Sequence, residues 1–470
     1  MDEITSQSAT KLAQLIQTRK LSPVEIVESY LRRIEELNPS VNAIVTLAPD
    51  LLEQARAAEA ALMSAEAVGP LHGVPLTIKD TIDTAGLRTT SGSALRAAHV
   101  PATDAPAVAR LKAAGAIILG KTNTAEMAMD YTADNPLFGR TNNPHDASRT
   151  PGGSSGGEAA AIASCLSAGG LGTDLAGSIR IPAHFCGIAG LKPGSGRVPS
   201  AGQFPESIGP YSLGSVVGPM ARNTADLRLL FNVLAGIEPS RSASSIEGLA
   251  LHPAHIRGRR VAWFTDDGAS PVTEETRSAV ASTVSALADA EMQVEECHPP
   301  GVERGFDLWL KLFARASVVL LRELYSGREE EAGAFIRWRL KTADDSPPAT
   351  LDQYIRDWRE RDRLRATLLE WMATTPLIVC PVGAAEAFAH DAHKVTVAGK
   401  TVNTFRAFSY SQTFNVFDLP AVSIPAGRSA AGLPIGVQIV GRPGEEGTVL
   451  AAAKIVEQAL GVWRPMSDKL

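Results

Sequence analysis

The sequence predicts an α/β protein in which helices cover a buried β-sheet, and three observations support this fold class. Segments typical of strands and of helices alternate along the chain. The 470 residues are 44% hydrophobic, which is enough to bury a large core. Several short apolar segments bounded by Gly, Pro or charge have the pattern of strands covered on both faces, and they lie at 74–78, 116–120, 376–380, 420–424 and 435–440.

The first clear helix is predicted in SPVEIVESYLRRIEEL, residues 22–37. Ser22 is expected to cap it, Pro23 to occupy its first position and Glu25 to complete a capping box. Apolar residues at helical spacing predict its buried face. These residues are Ile26, Tyr30, Ile34 and Leu37.

A second short helix is predicted at residues 158–167, between two clusters rich in Gly and Ser that we expect to be turns. The first cluster formally matches the G-x-S-x-G nucleophile elbow, but the polar residues before it do not predict the strand that an elbow must follow. No G-K-[ST] follows it, and Leu175 stands where a dinucleotide fingerprint after Gly170 needs glycine. Phosphate binding is therefore not expected.

Residues 270–375 are mostly helical in pattern and more charged than the rest. The chain contains no internal repeat, low-complexity segment or linker. We therefore expect a single domain over residues 1–470, with its motifs at about 71–195 and a variable, mostly helical segment at about 240–375 that caps the substrate side.

Charge and composition exclude several classes of function. The net charge is −6 and the pI about 5.9, so a nucleic-acid partner is not expected. The chain lacks a signal-like start and any run of eighteen apolar residues, which predicts a cytoplasmic protein with no membrane partner. The four cysteines are too sparse for a disulfide framework and are expected to be reduced.

A strand that ends in a lysine offers a candidate base. In HGVPLTIKD the apolar segment leads directly into Lys79 and Asp80. Burial lowers the pKa of a lysine, and a lysine that is neutral near pH 7 can accept a proton. A serine nucleophile needs such a base, so Lys79 and the Ser-bearing loops together favour a serine hydrolase.

Three motifs then carry a specific resemblance. LHGVPLTIKD, GGSSGGEAAAIAS and GTDLAGSIRIPAHFCGIAGLKP occur in the order and spacing of the amidase signature family, which this chain resembles. Looser similarity extends from LSPVEIVESYLRRI to LPIGVQIVGRP and leaves out about 240–375. The resemblance implies an α/β/α sandwich around a large mixed β-sheet.

The resemblance also implies the catalytic residues. Ser178 is expected as nucleophile, Ser154 as bridging serine after a cis peptide bond, and Lys79 as base, with no metal or organic cofactor. The oxyanion hole is expected from the backbone N–H groups of residues 175–178, which are Leu175, Ala176, Gly177 and Ser178. Ala176 departs from the commoner family pattern, which has glycine there. Asp174 and Arg180 resemble a supporting ion pair.

The substrate is less constrained by the sequence. An ungapped alignment brings the walls of the family's acyl pocket near Ala128, Met129 and Tyr131, and Thr173 completes the predicted substrate-binding residues. The apolar composition of MAMDY suits a small uncharged amide or carbamate with a hydrophobic group. Family members often form homodimers, so a homodimer is one expectation.

Other functions remain open from the sequence alone. The same motifs occur in the A subunit of glutamine-dependent tRNA amidotransferases, although GRVPSAGQFPESIGPYSLGSVVGPMARNTADL resembles stand-alone amidases more. His390 and His393 in FAHDAHK, and the S-x-x-K match at Ser8 to Lys11, are weaker catalytic candidates. A binding protein without catalysis is disfavoured because Lys79, Ser154 and Ser178 are all present.

Overall fold

An 11-stranded mixed sheet runs through the protein in the computed structural model, which describes residues 3–64, 68–236, 253–344 and 349–461. In the described residues the strands are β1 Ile44–Leu47, β2 Pro75–Lys79, β3 Ile117–Thr122, β4 Gly169–Asp174, β5 Ala189–Lys192, β6 Val216–Ala221, β7 Arg260–Trp263, β8 Gln293–Glu296, β9 Leu377–Pro381, β10 Lys394–Val397, β11 Lys400–Asn403, β12 Ala421–Arg428 and β13 Pro434–Val440. Their order in the sheet is β1-β3-β2-β4-β6-β5-β12-β13-β9-β7-β8, and β10 and β11 form a separate hairpin.

The helices in the same described ranges are α1 Ala9–Gln17, α2 Pro23–Val41, α3 Leu51–Met63, α4 Pro106–Ala113, α5 Gly156–Ala163, α6 Arg180–Cys186, α7 Thr224–Leu234, α8 Glu274–Asp289, α9 Gly305–Trp309, α10 Arg315–Leu324, α11 Ala334–Asp344, α12 Leu351–Trp371, α13 Thr404–Ala407, α14 Ser409–Val416 and α15 Glu446–Leu460. A π-helical segment, Leu310–Ala314, joins α9 to α10.

The central strands of the sheet are buried on both faces, as the apolar segments predict. In β9, Leu377 and Val379 belong to one hydrophobic cluster, whereas Ile378 and Cys380 belong to another. Successive side chains of a strand point to opposite faces, so the two clusters lie on opposite sides of the sheet. The strand pairs β2–β3, β2–β4, β7–β8 and β7–β9 are parallel and the others antiparallel, which confirms the predicted mixed α/β fold.

The predicted elements are largely present. All five predicted apolar segments are strands, and helix α2 begins at Pro23 after Ser22, whose side chain and Glu25 complete the capping box. Ile26, Tyr30 and Ile34 are buried. The four cysteines carry no disulfide.

The second Gly-rich cluster departs from the prediction. Residues 169–174 are not a turn but strand β4, which pairs with β2 and β6. A Cβ on Gly170 would collide with the Glu158 carboxyl and the Thr77 carbonyl, and one on Gly172 would lie 2.8 Å from Ser155 Oγ. Glycine therefore allows helix α5 to lie close against the strand. This packing outweighs the low strand propensity of glycine.

The segment at about 240–375 is mostly helical in its described part, where α8 to α12 lie. It also contains β7 and β8, which extend the sheet at one edge. Trp309 Nε1 donates to the carbonyl of Leu175, and Leu320 borders the cavity that contains Ser178. Residues 240–252 and 345–348 of the segment lie outside the described residues.

Candidate active site

Lys79 is the last residue of strand β2 and is fully buried. Its Nζ donates to Ser154 Oγ at 2.6 Å and to Thr173 Oγ1 at 2.8 Å. Burial lowers the pKa of Lys79 from 10.5 to about 7, while the charges of Asp174 and Glu158 act in the opposite direction. A substantial fraction of this amine is therefore neutral near pH 7.

Ser154 lies in the turn that precedes helix α5. The peptide bond between Gly153 and Ser154 is cis, as the resemblance implies, and Gly152 has φ of 84°. A Cβ on Gly153 would collide with the backbone of Thr132, so only glycine fits this position. The two glycines thus allow the turn that directs the Ser154 hydroxyl at Lys79.

Ser178 follows strand β4 in the loop that leads into helix α6. It is 6% exposed and lines the same cavity as Ser154 and Thr173. Its carbonyl accepts from the N–H of Ser155, which ties the two Ser-bearing segments together. The structure thus brings Lys79, Ser154 and Ser178, separated by up to 99 positions in sequence, to one cavity.

The backbone N–H groups of residues 175–178 are not equivalent. Gly177, with φ of 100°, donates its N–H to Asp174 Oδ1 at 2.8 Å, so this predicted oxyanion-hole donor is already engaged. The N–H groups of Leu175, Ala176 and Ser178 have no acceptor within the described ranges of the chain. Ala176 does not adopt a positive φ, so its methyl group is accommodated without strain.

A buried ion pair supports this loop. Asp174 accepts from Arg180 Nε at 3.1 Å and from Arg180 Nη2 at 3.0 Å, and also from the N–H of Ile179. Arg180 reaches further to Gln438 and Asn415. Although burial acts against it, Arg180 holds the pKa of Asp174 well below its ordinary value. The pair is therefore charged and fixes the loop that carries Ser178.

Three of the four predicted substrate-binding residues border the cavity with Ser178, namely Ala128, Met129 and Thr173. Tyr131 does not. It is 1% exposed, and its hydroxyl donates to the carbonyl of Ala176 at 2.7 Å and accepts from Gln412 Nε2. The alignment with the family predicted Tyr131 as a wall of the acyl pocket, but the residue does not border this cavity, and its hydroxyl holds the Ser178 loop by a hydrogen bond.

The histidine candidates lie elsewhere. His390 and His393 border a separate cavity of about 680 Å³, together with Asp130, Asp134 and Trp338. Across the described ranges no group of three or more His, Cys, Asp or Glu side chains could hold a metal ion. His184 is buried between the carbonyl of Ala385 and the N–H of Gly436, so it is structural.

Thr81 and Gln203 are among the cavity-lining residues that the sequence did not predict. Thr81 lies in the turn after strand β2, and Gln203 lies in the segment GRVPSAGQFP, to which the sequence assigned no role in the site. No helix within the described ranges has the length and apolar character needed to cross a membrane.

Comparisons with known proteins identify the family of this chain. The family model described as Amidase matches residues 25–450. The chain is similar to human fatty-acid amide hydrolase 2, with 31% identity over 97% of this chain and 89% of that protein. It is equally similar to the A subunit of the glutamyl-tRNA(Gln) amidotransferase from Bdellovibrio bacteriovorus, with 32% identity over 97% and 98%. Among solved structures, a bacterial aryl acylamidase superposes with a TM-score of 0.85 at 25% identity, covering 99% of this chain and 100% of that one.

Proposed function

This chain belongs to the amidase family of amide hydrolases, and from that premise we propose that it cleaves amides through an acyl-enzyme on Ser178. The observation that supports this mechanism best is the contact between Lys79 Nζ and Ser154 Oγ, at the edge of the cavity that Ser178 also lines. Because the lysine is desolvated, it can be neutral and serve as the base.

In the proposed reaction, neutral Lys79 takes a proton from Ser154, which takes the proton of Ser178 as its Oγ attacks the carbonyl carbon of the amide. Negative charge develops on the carbonyl oxygen, and the N–H groups of Leu175, Ala176 and Ser178 are the proposed donors to it. Gly177 contributes by conformation rather than as a donor, because Asp174 accepts its N–H.

The C–N bond then breaks, and the leaving nitrogen receives the proton from Lys79 by way of Ser154. Water hydrolyses the acyl-enzyme along the same route. Every role is filled by Ser, Lys and backbone groups, so the proposal requires no cofactor. Carbamates, whose carbonyl also carries a nitrogen, fit the same chemistry as a second substrate class.

The relatives include both a hydrolase and an amidotransferase component at similar identity, so identity does not choose between them. The experiment is to incubate the purified chain alone with anilides, primary amides, carbamates and esters. We expect hydrolysis with no partner added, and the activity should survive dialysis against a chelator. Turnover that appears only with partner proteins and glutamine would favour the amidotransferase function instead.

A further inference from the structure

Two side chains that the proposed mechanism does not use form one wall of the cavity around Ser178. Thr81 lies just after strand β2, and Gln203 lies in the segment that crosses it. The N–H of Phe204 donates to the carbonyl of Thr81 at 2.7 Å, and Ile82 pairs with Gln203 in an isolated bridge. Backbone contacts therefore hold the two residues side by side, although only Thr81 is close to Lys79 in the chain.

Each of these side chains carries an oxygen without a partner. Gln203 is 6% exposed, and its Nε2 donates to Ser215 Oγ at 3.0 Å, whereas its Oε1 is buried and accepts no hydrogen bond from the described part of the chain. Thr81 is 1% exposed, and its Oγ1 is likewise unpaired among the described residues. A buried acceptor without a donor is unfavourable, so a bound molecule that supplies an N–H or O–H is stabilised there.

The charged side chains that line the cavity restrict the class of substrate further. No Arg, Lys or His belongs to its described lining. Of its two carboxylates, Asp174 is paired with Arg180, and Glu206 is exposed. The remaining lining is uncharged and includes the apolar side chains of Met127, Met129 and Leu320. A substrate with a carboxylate near this wall would therefore meet no cationic side chain among the described lining residues.

We propose that the substrate is an uncharged amide that carries an N–H or O–H donor outside its scissile bond, and that Gln203 Oε1 accepts this donor, with Thr81 Oγ1 as a second partner. The proposal rests on the proposed function, since it assigns specificity to the site of the same reaction. Gln203 is a specificity-determining residue here and takes no part in proton transfer. A site built to accept a hydrogen bond rejects an analogue that lacks the donor more strongly than an apolar pocket rejects a missing methylene.

The test uses two isosteric substrate pairs that differ by one donor. On the acyl side, N-acetylalanine amide is compared with O-acetyl-lactamide, in which an ester oxygen replaces one N–H. On the amine side, acetanilides with a ring hydroxyl are compared with those with fluorine at the same position. For each pair the ratio of kcat/KM values is measured in the natural protein and in Gln203→Leu. Comparing this ratio between the two proteins cancels the intrinsic reactivity of the substrates.

We expect the natural protein to prefer the donor-bearing member of at least one pair by about tenfold or more, and Gln203→Leu to reduce that preference to near one. Thr81→Val should reduce it less. The matched control is Gln17→Leu, the same change at an exposed helix position, which should leave every ratio unchanged. Gln203→Asn keeps the carboxamide but shortens it, and should give an intermediate ratio if Gln203→Leu fails to fold.

Labelling by a fluorophosphonate distinguishes the failure of this inference from the failure of the proposed function. If Ser178 is labelled and both ratios are the same in the natural protein and the Gln203 variants, the specificity assignment is wrong while the mechanism stands. If Ser178 is not labelled and no amide is hydrolysed, the proposed function itself is wrong. An added carboxylate on the substrate that improves kcat/KM would also overturn the inference.

Discussion

Lys79 Nζ lies 2.6 Å from Ser154 Oγ, although the two residues are separated by 75 positions in the chain. The contact joins the end of a buried strand to a turn whose shape depends on two glycines. Since the amine is fully buried, its ionisation is coupled to the stability of the fold, and under the proposed mechanism it also controls the activity.

The rate should depend on the protonation of Lys79. Its pKa is lowered to about 7, and only the neutral amine can accept a proton, so kcat/KM should rise tenfold per pH unit below about pH 7 and level off above it. The measurement is kcat/KM from pH 5 to 10 on an amide without ionisable groups. A profile that is flat over this range would remove Lys79 from the role of base.

The buried carboxyl of Glu158 needs a control, because burial raises its pKa to about 7 as well. It accepts from the hydroxyls of Thr77 and Thr122, whereas the hydroxyl of Ser154 is hydrogen-bonded to Lys79. Glu158→Gln should keep the acid limb of the profile and move it to lower pH, because the charge of Glu158 raises the pKa of Lys79. Loss of the limb in this variant would assign it to the carboxyl.

Lys79→Met should abolish turnover and yet stabilise the protein. The fall in pKa from 10.5 to about 7 corresponds to a folding cost of up to about 5 kcal/mol at pH 7. Methionine removes this cost but leaves the hydroxyls of Ser154 and Thr173 without their donor, so we expect a net gain of about 2–3 kcal/mol in the free energy of unfolding.

The stability gained by Lys79→Met should also depend on pH. The unfolded chain keeps the lysine proton up to about pH 10.5, whereas the folded chain releases it above about 7, so the natural protein gains stability relative to the variant as the pH rises between these values. Urea unfolding of both proteins at pH 7, 8 and 9 measures the difference. A difference that stays constant with pH would mean that the folded state does not hold Lys79 neutral.

Tyr131→Phe should impair the Ser178 loop without changing the walls of the cavity. The hydroxyl donates to the carbonyl of Ala176 and accepts from Gln412, and the ring itself packs against Phe405 and Phe408. Phenylalanine preserves the packing and leaves the buried carbonyl of Ala176 without this donor, while Gln412 Nε2 keeps its hydrogen bond to the carbonyl of Phe405, so we expect a loss of about 1–3 kcal/mol of stability. In kinetic assays kcat should fall while KM changes little; a change in KM alone would restore Tyr131 as a pocket residue.

Arg180→Met should be among the most destabilising single changes, because it leaves the carboxylate of Asp174 buried and unpaired. We expect a loss of about 3–5 kcal/mol, measured by urea unfolding. The double variant with Asp174→Asn removes the unpaired charge and should be less destabilised than the sum of the two single variants. Additive losses would mean that the two side chains act independently.

The strands and the first capped helix could be predicted because their signals are local. Helix α2 shows its Ser22 cap and apolar stripe in consecutive residues, and β2 shows an apolar run that ends at Lys79. Strand β4 could not be predicted in this way. Its glycines have no side chains and so form no apolar pattern. They are required because Glu158 and Ser155 lie close against the strand, and this contact exists only in the folded chain.

In the candidate site, too, the residues with a local sequence signal could be predicted and the others could not. Lys79, Ser154 and Ser178 carry motifs, and the motifs indicate their roles through the family resemblance. The positions of Tyr131 and Gln203 depend on tertiary contacts with Ala176 and Ser215, which no local pattern reports. The engagement of the Gly177 N–H by Asp174 likewise depends on how the loop turns back on itself.

The two serines should differ in their response to substitution. If Ser178 is the nucleophile, a fluorophosphonate attaches to its Oγ, and Ser178→Ala loses both labelling and turnover, the latter by at least about 10⁴-fold. Ser154→Ala removes the proton relay but leaves Ser178 and the donors of the loop in place. Labelling of this variant should be slow but detectable.

Lys79→Ala should resemble Ser154→Ala, because the lysine acts on Ser178 only through Ser154, which its Nζ contacts. Residues that act as a unit are not additive, so the double variant should be little worse than either single variant. Peptide mapping of the labelled protein identifies the nucleophile directly. Label on Ser154 or Ser155, together with turnover by Ser178→Ala, would reverse the assignment, since the first Gly-rich turn and not the loop after β4 would then carry the reactive hydroxyl.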